Sequence, residues 1–305
     1  MTTSTFMTFG LPDTLTSALT KMGFTEPTPI QAQAIPFALD GRDVLGSAAT
    51  GTGKTGAFSV PLVNHLINSP RSMALVMTPT RELAVQVMSV IEPLLMFHPE
   101  IQTACLIGGE AIGRQLNQLQ RKPRVIVGTP GRINDHLARR SLRLNAADFL
   151  VLDETDRMLD MGFGIQIEKI IDQMSDKRQT LMFSATMPAQ IVKLSARYLE
   201  NPERVSVGST STPAKNIKQS QIQVADADKH GALIEQLDSR QGSIIVFVKT
   251  KFGADRLATK LHKAGHEADA IHGDLQQRRR DRVIQAFRDK QFRVLVATDV
   301  AARGL

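Results

Sequence analysis

Cysteine is almost missing from this chain. One residue, Cys105, stands among 305, so no internal disulfide can form. It follows Thr103-Ala104 in an apolar run and reads as a buried core thiol rather than a redox or metal group. A reducing compartment, the cytoplasm, is the expected setting. Long apolar runs are missing as well: none approaches the roughly 20 residues that a membrane-spanning helix needs. The opening Met1-Thr2-Thr3-Ser4-Thr5-Phe6 has neither the basic stretch nor the apolar stretch of a secretory signal. No low-complexity tract is present. Acidic residues are the scarcer charge, 30 against 37 Lys and Arg, and the net charge of +7 suits a polyanionic partner. Charge alone would suit an acidic membrane surface or a heparin-like polymer equally.

At 42% hydrophobic residues, the composition supports two globular domains with cores of their own. Apolar, strand-like runs alternate with amphipathic helical stretches: Ala74-Leu75-Val76-Met77, Ala104-Cys105-Leu106-Ile107, Val125-Ile126-Val127, Phe149-Leu150-Val151-Leu152 and Thr180-Leu181-Met182-Phe183. That alternation predicts a parallel, doubly wound α/β sheet over a first domain, residues 1–207. The polar stretch Gly208-Ser209-Thr210-Ser211-Thr212-Pro213-Ala214-Lys215 reads as a linker over 208–217. Alternation resumes with Ser243 to Val248, a helix over Phe252 to Ala264, Glu267 to Ile271 and Arg293 to Ala297, a second domain of the same kind over 218–305. A doubly wound domain normally needs about 150 residues, and fewer than 90 follow the linker. The second domain is therefore expected to be truncated, part of a longer polypeptide, with an apolar sheet edge left uncovered.

Chemistry enters at Ala48-Ala49-Thr50-Gly51-Thr52-Gly53-Lys54-Thr55, which follows the apolar Val44-Leu45 and precedes an amphipathic helical run. Small residues let backbone N–H groups of Ala49 to Gly53 converge on phosphates, Lys54 supplies a point charge to the β and γ oxygens, and the Thr55 hydroxyl can sit on Mg²⁺. Ala48 stands where most phosphate loops carry glycine. A second stretch, Val151-Leu152-Asp153-Glu154-Thr155-Asp156, puts two carboxylates at the carboxyl end of a buried strand, where open α/β sheets place their ligands. There Asp153 can hold Mg²⁺ through its water shell and Glu154 can polarise an attacking water. The acidic pair also suits a plain helix start.

Taken in order with Gly23-Phe24, Pro27-Thr28-Pro29-Ile30-Gln31, Pro79-Thr80-Arg81-Glu82-Leu83-Ala84, Gly108-Gly109, Thr129-Pro130-Gly131-Arg132, Ser184-Ala185-Thr186, His272-Gly273-Asp274 and Ala297-Thr298-Asp299, these stretches resemble the DEAD-box family of ATP-dependent RNA helicases, within superfamily 2. The resemblance runs essentially from end to end. Thr155 departs from it, standing where the name-giving alanine belongs, and no arginine-rich last motif follows Leu305. It implies two RecA-like domains, ATP and Mg²⁺ as cofactors, and single-stranded or short duplex RNA as partner of a monomer. Closure of the domains would bend one strand, and hydrolysis would reset the clamp. In the family, arginines of the last motif reach the γ-phosphate and an aspartate after the Arg303-Gly304-Leu305 stretch touches the ribose. Losing such arginines typically costs roughly 10³–10⁵ in rate, so these 305 residues are expected to turn over weakly. A non-catalytic, ATP-dependent RNA-binding module is the alternative.

The Gln31 carboxamide can pair with the N7 acceptor and N6 donor of adenine, which favours ATP over GTP, or it can cap the helix after Pro29. Phe6 matches an aromatic of the family that packs on adenine, or is a core residue. RNA phosphates are expected at helix starts and loop backbones: Thr80 and Thr129 as N-caps beside Arg81 and Arg132, and Gly109 where the backbone can approach closely. In the second domain Asp274 and Gln277 form a capping-box pattern. The resemblance implies RNA contacts at Gly273, Asp274, Gln277, Arg280 and Thr298, while Arg278 and Arg279 read as a solvated face. Ser184 and Thr186 resemble the family's link between nucleotide and RNA sites, their hydroxyls bonded to Asp156; Thr186 also suits an N-cap.

Overall fold

The computed structural model describes residues 5–207 and 218–298. The chain divides into two compact units, Met1–Thr212 and Pro213–Leu305. The expected linker 208–217, Asp299 and the Arg303-Gly304-Leu305 stretch lie outside the described residues.

Unit 1 begins with a 3₁₀ turn at Phe6–Phe9, then runs α1 (Asp13–Lys21), α2 (Pro29–Leu39), β1 (Val44–Ala48), α3 (Lys54–Asn68), β2 (Met73–Met77), α4 (Arg81–Leu94), β3 (Thr103–Leu106) and α5 (Ile112–Gln120). It continues with β4 (Val125–Gly128), α6 (Pro130–Ala138), β5 (Ala147–Leu152), α7 (Thr155–Asp160), α8 (Gly164–Ile171), β6 (Gln179–Ser184), α9 (Ala189–Tyr198) and β7 (Glu203–Val207). The seven strands form one sheet in the order β3-β4-β2-β5-β6-β1-β7, every neighbour paired parallel.

Successive residues of a strand point to opposite faces, so a sheet covered by helices on both sides must be apolar at consecutive positions. Val76, Val127, Val151 and Phe183 enter one core with Phe58 and Leu62 of α3. Their neighbours Met77, Ile126, Leu152 and Met182 enter the other with Ile133 of α6 and Ile167 of α8. Strand β7 escapes an apolar-run search because Val205 is its sole buried residue. An edge strand keeps one flank in water and tolerates Glu203, Arg204 and Ser206 there. The lower pole is pinned by buried Asp43, whose carboxylate accepts from the backbone N–H of Thr180 and of Glu200, both at 2.7 Å. Cys105, expected as a buried core thiol, is half-buried and packs against the first core, and burial pushes its thiol up to about 12.

Unit 2 comprises α10 (Lys229–Asp238), β8 (Ile244–Val248), α11 (Lys251–Lys263), β9 (Ala268–Ile271), α12 (Gln277–Arg288) and β10 (Val294–Thr298), with the parallel strand order β8-β10-β9. Ile245 and Phe247 on the edge strand β8 are exposed. No described helix is long and apolar enough to cross a membrane.

One glycine of the sheet is fixed by close approach. A Cβ at Gly46 would lie 2.5 Å from the Phe183 ring, which therefore packs against the backbone of β1. We expect Gly46→Ala to cost about 1–3 kcal/mol through overpacking. Equilibrium urea unfolding checks it, and an unchanged midpoint would contradict the packing described.

Candidate nucleotide and RNA site

Parallel strands bring their carboxyl ends to one edge of the sheet, and the phosphate loop and the acidic stretch meet there. The loop leaves β1 at Ala48 and enters α3 at Lys54, with Gly51 and Gly53 at φ +83° and +98°, conformations that side chains resist. Thr52 Oγ1 donates to the Ala49 carbonyl at 2.7 Å and closes the turn. Lys54 is buried and donates to the Ala48 carbonyl at 2.9 Å. The ammonium is thus held across the loop by a backbone oxygen. Backbone donors of the first turn of α3 have no acceptor within the helix, which suits an anion.

Gln31 is fully engaged. Its Oε1 accepts from Thr28 N at 2.9 Å, half of a capping box at the start of α2, and its Nε2 donates to the Gly53 carbonyl at 3.0 Å. Capping, one of its two expected roles, is present, and the second bond fastens α2 to the phosphate loop. Phe6 sits in the core, edge-on to Phe9 and Phe24 with ring centroids 5.8 Å apart in each pair. Of its two expected roles this geometry carries core packing.

The acidic stretch continues β5. Asp153 N donates to the Met77 carbonyl at 3.0 Å, extending the pairing with β2, and its Oδ1 accepts from Glu154 N at 2.9 Å. Desolvation pushes the Asp153 carboxyl up to about 7, with the Lys54 ammonium pulling against it. Glu154 sits at φ +50°, ψ +50°, a left-handed position unusual for glutamate. Its Oε2 accepts from Arg157 Nη1 at 2.6 Å, one helical turn on. Thr155, in place of the family's alanine, is wholly buried. Its hydroxyl lies 3.1 Å from the Leu152 carbonyl and 3.2 Å from that of Phe183, so it bridges the ends of β5 and β6.

Asp156 Oδ2 accepts from both Thr186 N at 3.0 Å and Thr186 Oγ1 at 2.8 Å. Ser184 corrects the expectation made for it. Its hydroxyl donates to the Thr186 carbonyl at 2.7 Å and not to Asp156, because Ser184 is the last residue of β6 and its side chain closes the turn that follows. The Asp156 link therefore rests on Thr186.

Thr80 caps α4, its hydroxyl accepting from Leu83 N at 3.2 Å. The Arg81 guanidinium lies against Gly108, where a Cβ would stand 2.9 Å from Nη2. Gly109, next in that loop, has φ +79°. Thr129 begins α6 without a side-chain cap bond. Arg132 turns inward: Nη1 donates to Gln115 Oε1 at 3.0 Å and approaches the Glu110 carbonyl at 3.4 Å. Gln115 was not legible in the sequence. Fully buried, it also donates to the Ile107 carbonyl at 2.7 Å and meets His136 Nε2 at 3.0 Å, which ties the Gly108-Gly109 loop to α6. Burial, reinforced by Arg132, lowers the His136 pKa and favours the neutral ring.

In unit 2 the expected capping box does not form. Helix α12 starts at Gln277 with Gln276 as N-cap, Asp274 pairs with Lys251 at 2.5 Å, and Gln277 Nε2 donates to Asp281 Oδ1 at 2.9 Å. An ammonium on α11 is a stronger partner for the carboxylate than a backbone N–H. Arg280 and Thr298 are buried, a Cβ at Gly273 would stand 3.6 Å from Lys251 Cε, and Arg278 and Arg279 are exposed.

The family model described as DEAD/DEAH box helicase matches residues 28–194, and that of the helicase conserved C-terminal domain matches residues 228–305. The chain is 45% identical to the DEAD-box ATP-dependent RNA helicase CshA of Bacillus subtilis over 99% of its own length and 62% of that protein's, and 42% identical to the ATP-dependent RNA helicase CshA of Listeria monocytogenes over 98% and 58%. It thus spans about three fifths of these curated relatives. Among solved structures, Saccharomyces cerevisiae Dbp5 bound to RNA and ADP BeF3 matches with a TM-score of 0.87 at 32% identity, over 99% of this chain and 77% of that one. A DEAD box protein from the hyperthermophile Methanococcus jannaschii matches with 0.64 at 38%, over 99% and 82%.

Because the Thr155 hydroxyl bonds only backbone carbonyls of the fold, Thr155→Ala should lower stability by about 1 kcal/mol while changing Mg²⁺-ATP affinity less than about tenfold. Chemical unfolding and calorimetry read the two effects separately.

Proposed function

We propose that this chain, which belongs to the DEAD/DEAH box helicase family, couples ATP hydrolysis to local opening of short RNA duplexes. The observation that carries the reading is the meeting of Lys54, Asp153 and Glu154 at one sheet edge, with Asp156 beside them bonded to Thr186. Lys54, Asp153 and Glu154 are all present, which speaks against a decayed, non-catalytic site.

In this reading the loop N–H groups and the start of α3 take the phosphates, and Lys54 exchanges the Ala48 carbonyl for phosphate oxygens. Glu154 orients the attacking water once its carboxylate is shared with fewer donors than Arg157 now supplies. Gln31 reads adenine in exchange for its present partners. Thr55 and Asp153 fit Mg²⁺: both offer hard oxygen donors, and a buried carboxyl pushed up to about 7 is the kind of group that a cation would return to its ionised form. Among the described residues no cluster of three or more His, Cys, Asp or Glu could hold a metal, so the ion would be held largely by phosphate and water. When bound, Mg²⁺ neutralises charge on the transferring phosphoryl group.

RNA phosphates would meet the starts of α4 and α6 and the Gly108-Gly109 backbone in unit 1, and Gln277, Arg280 and Thr298 in unit 2. Contacts of this type carry little sequence information. The setting of this reading is a reducing compartment, the cytoplasm, where the protein acts as a monomer.

Lys54→Ala should abolish measurable Mg²⁺-ATP binding by calorimetry with an unaltered circular dichroism spectrum. Glu154→Gln should keep that binding and lose RNA-stimulated phosphate release. ATP and RNA binding without any such release in the parent chain would make it the non-catalytic module instead. A further expectation concerns the base: ATP should displace a fluorescent nucleotide better than GTP does, and Gln31→Ala should erase the difference.

A further inference from the structure

At the pole of unit 1 opposite the phosphate loop, the amino ends of β2, β4 and β5 open on a pocket of about 360 Å³. The six residues of β5 span about 20 Å at about 3.3 Å per residue, so the pocket stands the height of the sheet away from Asp153 and Glu154. Part of its lining is apolar, from Met73, Leu119, Pro123, Ile126 and Leu142. Arg124 fixes its shape by donating to the Ser72, Leu66 and Ser69 carbonyls at 2.9, 2.8 and 2.5 Å, and is thereby engaged by the fold. Four other cations, Arg71, Lys122, Arg140 and Arg143, line the same pocket and are exposed. None of the four joins an ion pair of the described residues. No acidic side chain lines the pocket, and the Asp148 carboxylate, which acts on Arg124, already accepts from Ser72 Oγ at 2.6 Å and lies 3.2 Å from His65 Nε2.

Two of these cations stand where glycine is the easier residue. Lys122 and Arg140 follow the C-caps of α5 and α6 at φ +53° and +56°, left-handed positions that side chains resist. Ending the helix there needs only the backbone, and their N–H groups donate to the Leu119 and Leu137 carbonyls at 3.0 and 2.9 Å. Their charge also complements the negative helix ends, but Arg71 and Arg143 lie outside any helix and face the same hollow. Like charges around one concavity repel, and an anionic occupant relieves them. Nucleic acid bases would call for aromatic faces to stack on, and no aromatic ring lines the pocket. An apolar hollow rimmed by cations fits a large apolar side chain flanked by carboxylates instead. We propose that this pole of unit 1 docks an acidic peptide segment of a partner protein, with one large apolar side chain seated on Leu119 and Leu142 and the flanking carboxylates paired with Arg71, Lys122, Arg140 and Arg143. A partner held there leaves the carboxyl edge of the sheet open, with Lys54, Asp153 and the starts of α4 and α6. The inference does not depend on the nucleotide or RNA reading.

The test is fluorescence anisotropy with labelled peptides that carry a run of glutamates on each side of one central residue, which is Ala, Leu or Phe in turn. The Leu and Phe peptides are expected to bind this chain at least about fivefold more tightly than the Ala peptide, because only they bury apolar area in the pocket. Ala146 is exposed on the pocket lining, and Ala146→Trp fills the hollow without touching a charge. That variant should erase the difference between the peptides. The double variant Arg140→Glu, Arg143→Glu should weaken all three by more than about tenfold. Melting curves that match the parent's show that the variants are folded. No binding of the Leu and Phe peptides to the parent, an affinity that ignores the central residue, or equal binding to parent and folded variants overturns the assignment. Displacement of the peptide by an equal concentration of single-stranded RNA overturns it too, since the pole would then be a surface for any polyanion.

Discussion

The site depends on a tie between the carboxyl ends of two neighbouring parallel strands, β5 and β6. Thr155 supplies one strand of that tie through the Leu152 and Phe183 carbonyls, and Asp156 supplies the other through the backbone and hydroxyl of Thr186. Between β5 and α7 the chain must turn within two residues, Asp153 and Glu154, and Glu154 takes that turn in the left-handed region. A backbone held there costs on the order of 1 kcal/mol or more, and persists where its surroundings over-determine it. Buried hydrogen bonds on the residues that follow are such surroundings. The threonine that departs from the family's alanine therefore strengthens the joint on which the acidic pair is mounted.

Several groups that the chemistry would use are engaged by the protein itself. Lys54 rests on the Ala48 carbonyl, Gln31 on Thr28 and Gly53, and Glu154 on Arg157. Each is a substitute partner that satisfies a buried charge or amide without rigidly removing it from service. Ligand binding here is an exchange of partners rather than the filling of an empty space, so part of the interaction energy goes to breaking existing bonds. Asp153 shows the opposite condition: burial raises its carboxyl to about 7, and the counter-charge of Lys54 offsets only part of that.

The two loops on which RNA contacts were expected are joined beneath the surface by Gln115. One carboxamide holds the Ile107 carbonyl ahead of Gly108-Gly109, the Arg132 guanidinium and the His136 ring. Arg132 thereby supports α6 from inside.

Much was legible in the sequence because its signals are local. Two-sided burial of parallel strands writes continuous apolar runs, and five such runs marked strands β2 to β6 within one or two residues. Phosphate loops need small residues in a fixed order, so Ala48 to Thr55 and Asp153 to Asp156 declared the chemistry and the family. Edge strand β7 stayed hidden since a strand wet on one flank carries a mixed pattern. Partner choice was also illegible. Asp274 took Lys251 from a helix 23 residues away instead of capping α12, Ser184 took a turn carbonyl two residues on, and Gln115 acquired its role from residues that only packing brings near. Sequence determines which chemical groups stand at the ends of strands and the starts of helices, because backbone periodicity is local. Which of several donors each acceptor meets is decided by the tertiary structure, since competition for hydrogen bonds is settled by distances between segments that the sequence holds far apart.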